Sequence, residues 1–277
     1  MDDCTNRVLA FLRGEEAAML GPVRKVRENP YSVTARLASD KLGRMVHAES
    51  LLEYDFFSIL DFDPRVEKYG EQCLVVPWTD VNQRGRKYHP DVLVKFSSKV
   101  QDHLVVSGAK ACHGCISTVY EVKPSAVLRE SWGELKPKFK AARRALQGTG
   151  VRFRLITEKQ IKPVFASNVR FLLNYKRPDD ETGKYFKEVA IDDELGGLVR
   201  TLDEPITPQE IMSRFSPSFE LQSRVIARVW RMLAMGIFDA DLIEPLTMNT
   251  PIWPGQMWRT GQMPTPKWRQ AQYDWYR

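Results

Sequence analysis

The sequence predicts an α/β chain in two parts, mixed strands and helices first and a mainly helical segment after, and three observations carry that reading. Short apolar stretches bounded by proline, Tyr88-His89-Pro90-Asp91-Val92-Leu93-Val94 and Ser117 to Val122 before Pro124, read as strands. Leu52, Phe56, Ile59 and Leu60 recur at helical spacing behind Ser50. Beyond the polar, turn-rich run Tyr175-Lys176-Arg177-Pro178-Asp179-Asp180-Glu181-Thr182-Gly183 the patterns are helical. The 277 residues suffice for two domains of ordinary size, and no apolar run is long enough to span a membrane.

Taken in order, residues 1–48 read as an irregular arm with a short helix near Arg7 to Phe11 and basic residues Arg24, Lys25 and Arg27. Residues 49–175 form the first domain. Ser50 caps its first helix, and Glu53, three residues on, is a capping-box residue. A helix packed beside a sheet also delivers a carboxylate to a metal, so both roles stay open for Glu53. A helix from about Glu134 to Leu146 follows the second strand, with Pro137 in its first turn and Gly148 and Gly150 ending it. Val151 to Thr157 alternates as a strand.

The second domain, residues 184–250, starts its helices with Thr207 as a cap, Pro208 at the first position and Glu210 at the third. Leu221 to Met235 carries apolar residues at Val225, Ile226, Val229, Leu233 and Ala234; Gly236 stops it and Ile237 to Ile243 suits a strand. That order is winged-helix-like. Arg224, Arg228 and Arg231 either keep the helix soluble or meet a partner. The tail, residues 251–277, holds Trp253, Trp258, Trp268 and Trp275 among prolines, which suits docking on a partner or packing back on its own domain.

The chemistry is concentrated in the two proline-bounded strands. Side chains alternate along a strand, so Glu121 and Lys123 share one side while Tyr120 and Val122 pack on the other. With Asp91 this is the PD…ExK spacing of a metal-dependent nuclease. If the strand of Asp91 lies alongside, two carboxylates hold a hard cation, and the lysine stands near the water that attacks phosphorus. The competing reading is that these charges guard strand edges.

Formal net charge is +6 with a pI near 9.1, which suits nucleic acid without requiring it. Lys136, Lys138, Lys140, Arg143 and Arg144 either track a backbone or line a solvated helix face. Cys112-His113-Gly114-Cys115 has zinc half-site spacing, but only Cys73 and His103 remain to complete it, and reduced thiols in a loop are the preferred reading. The start, Met1-Asp2-Asp3-Cys4, lacks the pattern of a secretory signal, so a soluble intracellular chain is expected. Neither a GxxxxGK[ST] loop nor an HExxH motif occurs, which removes support for an ATPase or a zinc protease.

The blocks Ser39-Asp40-Lys41-Leu42-Gly43-Arg44 to Phe56, Leu60-Asp61-Phe62-Asp63-Pro64, Tyr88-His89-Pro90-Asp91 and Tyr120-Glu121-Val122-Lys123-Pro124 together resemble the TnsA-type transposon endonucleases over roughly residues 39–124. The resemblance implies a restriction-endonuclease-like fold in a bacterial cytoplasmic protein that cuts the 5′ ends of a transposon. It further implies magnesium, with manganese as a substitute, and as partners transposon-end DNA, a TnsB-like transposase and a TnsC-like AAA+ ATPase. Carried over position by position, Glu53 matches the helical acid, Asp91 the central metal ligand, Glu121 the second strand ligand and Lys123 the lysine, with the Val122 carbonyl a further metal ligand. Some relatives have glutamine at the position of Glu121. Between Asp91 and Glu121 the chain departs from a compact hairpin, with room for an inserted loop. The alternatives are a stand-alone restriction or repair nuclease, and a DNA-binding assembly adaptor with an inactive core.

Overall fold

The computed structural model describes residues 3–13, 22, 34–80, 82–97, 117–176, 189–215 and 218–255. The chain divides into two compact units, Met1–Ile161 and Lys162–Arg277. Cys112 and Cys115, the basic residues Arg24 to Arg27, the run 177–183 and the tail tryptophans after Trp253 lie outside the described residues.

The first unit is built on a four-stranded mixed sheet. Its strands are β3 (Val66–Glu71), β6 (Val92–Phe96), β7 (Ser117–Val122) and β8 (Arg152–Ile156), in that spatial order. The β3–β6 and β6–β7 pairs are antiparallel, while β7 and β8 run parallel. Alternation along β7 sends Tyr120 to one face, edge-on to Phe56 of α2 (Leu51–Phe62) with ring centroids 5.3 Å apart. Its neighbour Val119 faces the opposite way, into a core shared with Leu93, Phe153 and Phe139. Phe139 belongs to α4 (Trp132–Ala145), which follows the short α3 (Ser125–Glu130). Helices therefore flank both faces, as the sequence leads one to expect of an α/β sheet whose strands are apolar on both sides.

Pro90 marks a strand boundary as expected. The chain leaves a separate antiparallel hairpin, β4 (Val76–Thr79) with β5 (Gly85–Tyr88), and enters β6 only at Val92. Helix α4 begins at Trp132, two residues before the expected start, so Pro137 stands inside it rather than in its first turn. The Ser131 carbonyl accepts from the Glu134 and Leu135 N–H groups, and Trp132 packs 6.1 Å from Phe139, which together extend the helix backwards.

Among the first 48 residues, the described ones are more regular than the arm their sequence suggests. Helix α1 (Asp3–Arg13) buries Cys4, Val8 and Phe11 in the α4-side core. A hairpin, β1 (Ala35–Ser39) with β2 (Arg44–Ala48), turns at Gly43, whose φ of 61° suits a residue lacking Cβ. Polar contacts weld this hairpin to α2 and β3. Lys41 Nζ donates to the carbonyls of Leu60 (2.8 Å), Val66 (2.7 Å) and Asp63, closing the carboxyl end of α2. Arg44 grips the buried Glu71 with two bonds of 2.6 Å, and Ser39 Oγ donates to Asp61.

In the second unit α6 (Pro163–Lys176), α7 (Val189–Thr201), α8 (Pro208–Ser213) and α9 (Phe219–Ala234) precede a two-stranded antiparallel ribbon of β9 (Phe238–Ala240) and β10 (Ile252–Pro254); α5 (Glu158–Ile161) closes the first unit. Thr207 and Glu210 form the expected capping box. Gly236, at φ 72°, ends the α9 region as expected, but the following strand is only three residues long. Trp253, from the tail, is buried in β10 within its own unit. Arg228 pairs with Asp192 at 3.5 Å.

Candidate active site

The pairing of β6 with β7 places Val92 opposite Tyr120, so the next step outward sets Asp91 beside Glu121. Asp91 Oδ2 accepts the Val122 N–H at 2.7 Å, and the Asp91 carbonyl accepts the Gln72 N–H at 2.9 Å. Gln72 holds a φ of 45°, a backbone conformation that costs energy outside glycine and that brings its N–H to this carbonyl. Asp91 is thus fixed from both sides by main chain.

Lys123 continues β7 past Val122, and its ammonium is the meeting point of the site. Nζ lies 3.5 Å from Asp91 Oδ2, 3.4 Å from Glu121 Oε1 and 3.2 Å from the Val122 carbonyl. Glu121 has further partners. The Tyr88 hydroxyl donates to its Oε2 at 2.6 Å, and Lys138 Nζ donates to Oε1 at 3.2 Å while lying 4.7 Å from the centre of the Tyr88 ring. Burial, joined by the charges of Glu121 and Glu53, pushes the Asp91 carboxyl well above the usual carboxylate range, against the pull of Lys123. Lys123 loses by burial but gains more from Asp91, Glu121 and Glu53, so its ammonium is held charged. The Tyr88 hydroxyl is raised by burial and by Glu121, and remains a proton donor.

Asp91, Glu121, Val122 and Lys123 are therefore brought together. Glu53 stands slightly apart. Its Oε2 accepts the Glu49 N–H at 2.9 Å and its Oε1 the Ser50 hydroxyl at 3.2 Å, while Ser50 Oγ accepts the Glu53 N–H. The capping role is thus realised, with the reciprocal bond taken by the residue before the cap. Glu53 reaches the cluster through charge: burial raises its carboxyl, and Lys123 partly offsets that rise.

A cleft of ≈ 270 Å³ opens over this cluster, lined by Glu49, Gln72, Trp78, Lys87, Tyr88, His89, Asp91, Glu121, Lys123 and Lys138. Nothing in the local sequence singles out Tyr88, Gln72 or Glu49, and Lys138 stands there only as one member of a basic run. Tyr88 stands next to the His-Pro-Asp run, but its partner Glu121 is 33 positions away and no local pattern announces that bond.

Two carboxylate oxygens and one carbonyl oxygen converging on a single cationic point is a hard-oxygen donor set, of the kind Mg²⁺ uses with one or two carboxylates, water and substrate phosphate. Among the described residues no three His, Cys, Asp or Glu side chains form a ready-made cluster, so water and substrate phosphate would supply the remaining ligands. The residues present fit the cation.

A mixed sheet flanked by helices, with acid, acid and lysine gathered on adjacent strands, is the arrangement of a restriction-endonuclease-like nuclease. Residues 63–158 match the family model described as TnsA-like endonuclease N terminal, so this part of the chain is similar to the TnsA-type endonucleases. The matched stretch includes Asp91, Glu121 and Lys123 and begins after Glu53. No curated protein matches the chain. No helix among the described residues is long and apolar enough to cross a membrane.

Proposed function

We propose that this chain is the metal-dependent endonuclease subunit of a heteromeric transposase, hydrolysing a phosphodiester at the 5′ ends of a transposon. The observation that carries the reading is the convergence of Asp91, Glu121 and the Val122 carbonyl on the Lys123 ammonium, inside a domain similar to the TnsA-type endonucleases.

Asp91 and Glu121, with the Val122 carbonyl, would hold Mg²⁺, or Mn²⁺ in its place. When bound, that ion supplies Lewis-acid polarisation of the phosphate and makes water a stronger nucleophile at neutral pH. The chain's own residues do the rest. Lys123 carries a held positive charge to the attacked phosphate and orients water beside it. Tyr88 and Lys138 hold the two oxygens of Glu121 in place at the cleft. Glu53 adds a third acidic charge beside Lys123 while capping α2. The β1–β2 hairpin, pinned by Lys41 and Arg44, leads into the turn that holds Glu49 at the rim.

Transposon-end DNA, a TnsB-like transposase and a TnsC-like AAA+ ATPase are the proposed partners, and a bacterial cytoplasm the proposed setting. The helices and the β9–β10 ribbon of the second unit support a winged-helix-like assembly or DNA-binding role. Reconstitution with those two partners on transposon-end DNA in Mg²⁺ tests the proposal. Cleavage at the 5′ ends by the wild type and none by Asp91→Ala is the expected result. Cutting of DNA lacking the ends, without partners, would favour the stand-alone nuclease. Binding and assembly without any cutting would favour the adaptor.

A further inference from the structure

Trp78 lines the active-site cleft. The same side chain also lines a second cavity of ≈ 480 Å³, formed between the β4–β5 hairpin and α4 by Pro77, Trp78 and Thr79 on one wall and Pro137, Lys140, Ala141, Arg144 and Ala145 on the other. The lining contains two cations and no acid. Lys140 and Arg144 are four residues apart, so they sit one above the other on a single helix face about 6 Å apart along the axis. Both are exposed, and neither forms an ion pair among the described residues. The small side chains of Ala141 and Ala145 on the same wall leave the space between helix and hairpin open.

We infer that this groove carries the sugar–phosphate backbone of one DNA strand away from the cleft, with Lys140 and Arg144 contacting successive phosphates beyond Trp78. The inference rests on the nuclease reading of the adjoining cleft and adds the path by which the substrate leaves it. The shared Trp78 gives the direction, and two exposed cations in a lining without an acid give the complementarity to a polyanion. Lys136 and Arg143 lie on the same helix, are also exposed and carry the same charges, but they are not part of the groove lining. A basic helix face that merely attracts DNA would use all four cations alike. A strand seated in the groove uses two of them.

The experiment compares wild-type protein with Lys140→Gln/Arg144→Gln and with Lys136→Gln/Arg143→Gln, measuring fluorescence anisotropy of a labelled DNA duplex over a range of salt concentration. All four positions are exposed, so neither pair disturbs the core, and unchanged melting temperatures verify this. Every phosphate that a variant no longer neutralises reduces the slope of log K against log salt by about 0.9, so the groove pair is expected to lower the slope by roughly 1.8. The control pair is expected to lower it by less than half of that. Equal reductions in the two double variants, or a larger one in the control, would overturn the groove while leaving the nuclease reading in place. A wild type whose DNA binding has no salt dependence and which cuts no transposon end would overturn both.

Discussion

Lys138, on α4, donates to Glu121 Oε1 across 3.2 Å, and so joins the helix on one face of the sheet to the end of the strand that bears the candidate metal ligand. The other oxygen of Glu121 is taken by Tyr88. A carboxylate held at both oxygens is aimed before any cation arrives, which is how outer partners tune a metal ligand.

Lys138→Met and Tyr88→Phe are each expected to lower cleavage and Mn²⁺ affinity by about 10- to 100-fold, the usual cost of losing such a partner. Tyr88→Phe should also lower stability by about 1–3 kcal/mol, because a nearly fully buried carboxylate oxygen loses its donor. Calorimetric Mn²⁺ titration and thermal melting check the two effects separately. Unchanged affinity in both variants would remove the positioning role.

Lys123→Ala should abolish cleavage yet bind Mn²⁺ several-fold more tightly than the wild type. The ammonium and the metal compete for the oxygens of Asp91, Glu121 and Val122, so removing one favours the other. Weaker Mn²⁺ binding in the variant would show that the lysine helps build the donor set instead of competing for it.

Glu53 separates into two roles that distinct substitutions read. Ser50→Ala removes the cap acceptor of α2 and should cost about 1 kcal/mol of stability with cleavage retained. Glu53→Gln keeps an acceptor for the Glu49 N–H but loses the charge beside Lys123, and should lower cleavage by at least an order of magnitude with little change in melting temperature. Full activity in Glu53→Gln would leave that residue a cap alone.

Asp63 supplies a pH signature away from the cleft. Burial pushes its carboxyl up, but Arg65, bonded at 2.6 Å, outweighs burial and holds it below the usual carboxylate value. A lowered folded pKa gives stability that is present above the unfolded value, about 4, and is lost as pH falls through the folded one. Arg65→Ala should therefore destabilise the protein at neutral pH by about 3 kcal/mol, since it strands a buried charge, and that deficit should shrink as pH falls and the buried carboxyl, no longer held down by Arg65, takes up a proton. Thermal melts from pH 3 to 7 give both readings.

The strand that bears the candidate site is legible in the sequence because alternation is local: two positions suffice to place Glu121 and Lys123 on one side. The Ser50 cap and the Thr207 box are legible too, since each is fixed within four residues. Several other features were hidden by distance or by weak patterning. Tyr88 and Lys138 reach Glu121 from a hairpin and a helix that no periodicity links to it. The β1–β2 hairpin has five-residue strands with mixed burial, and its hold on the sheet comes from Lys41 and Arg44, whose partners lie 19 to 27 positions away. The blocks that carried the family resemblance thus divide in two. Asp91, Glu121 and Lys123 gather at the cleft, whereas Ser39, Lys41, Arg44, Asp61 and Asp63 fasten the hairpin, α2 and β3 together.

The most direct test of the central claim is anomalous diffraction from Mn²⁺-soaked crystals of the wild type and of Asp91→Ala, each with transposon-end DNA bound. A metal held by the two strand carboxylates predicts a peak in the wild type within about 2.0–2.3 Å of oxygens from Asp91 and Glu121, with Lys123 moved aside, and no peak in the variant. A DNA-bound wild type with no peak between those carboxylates would contradict it.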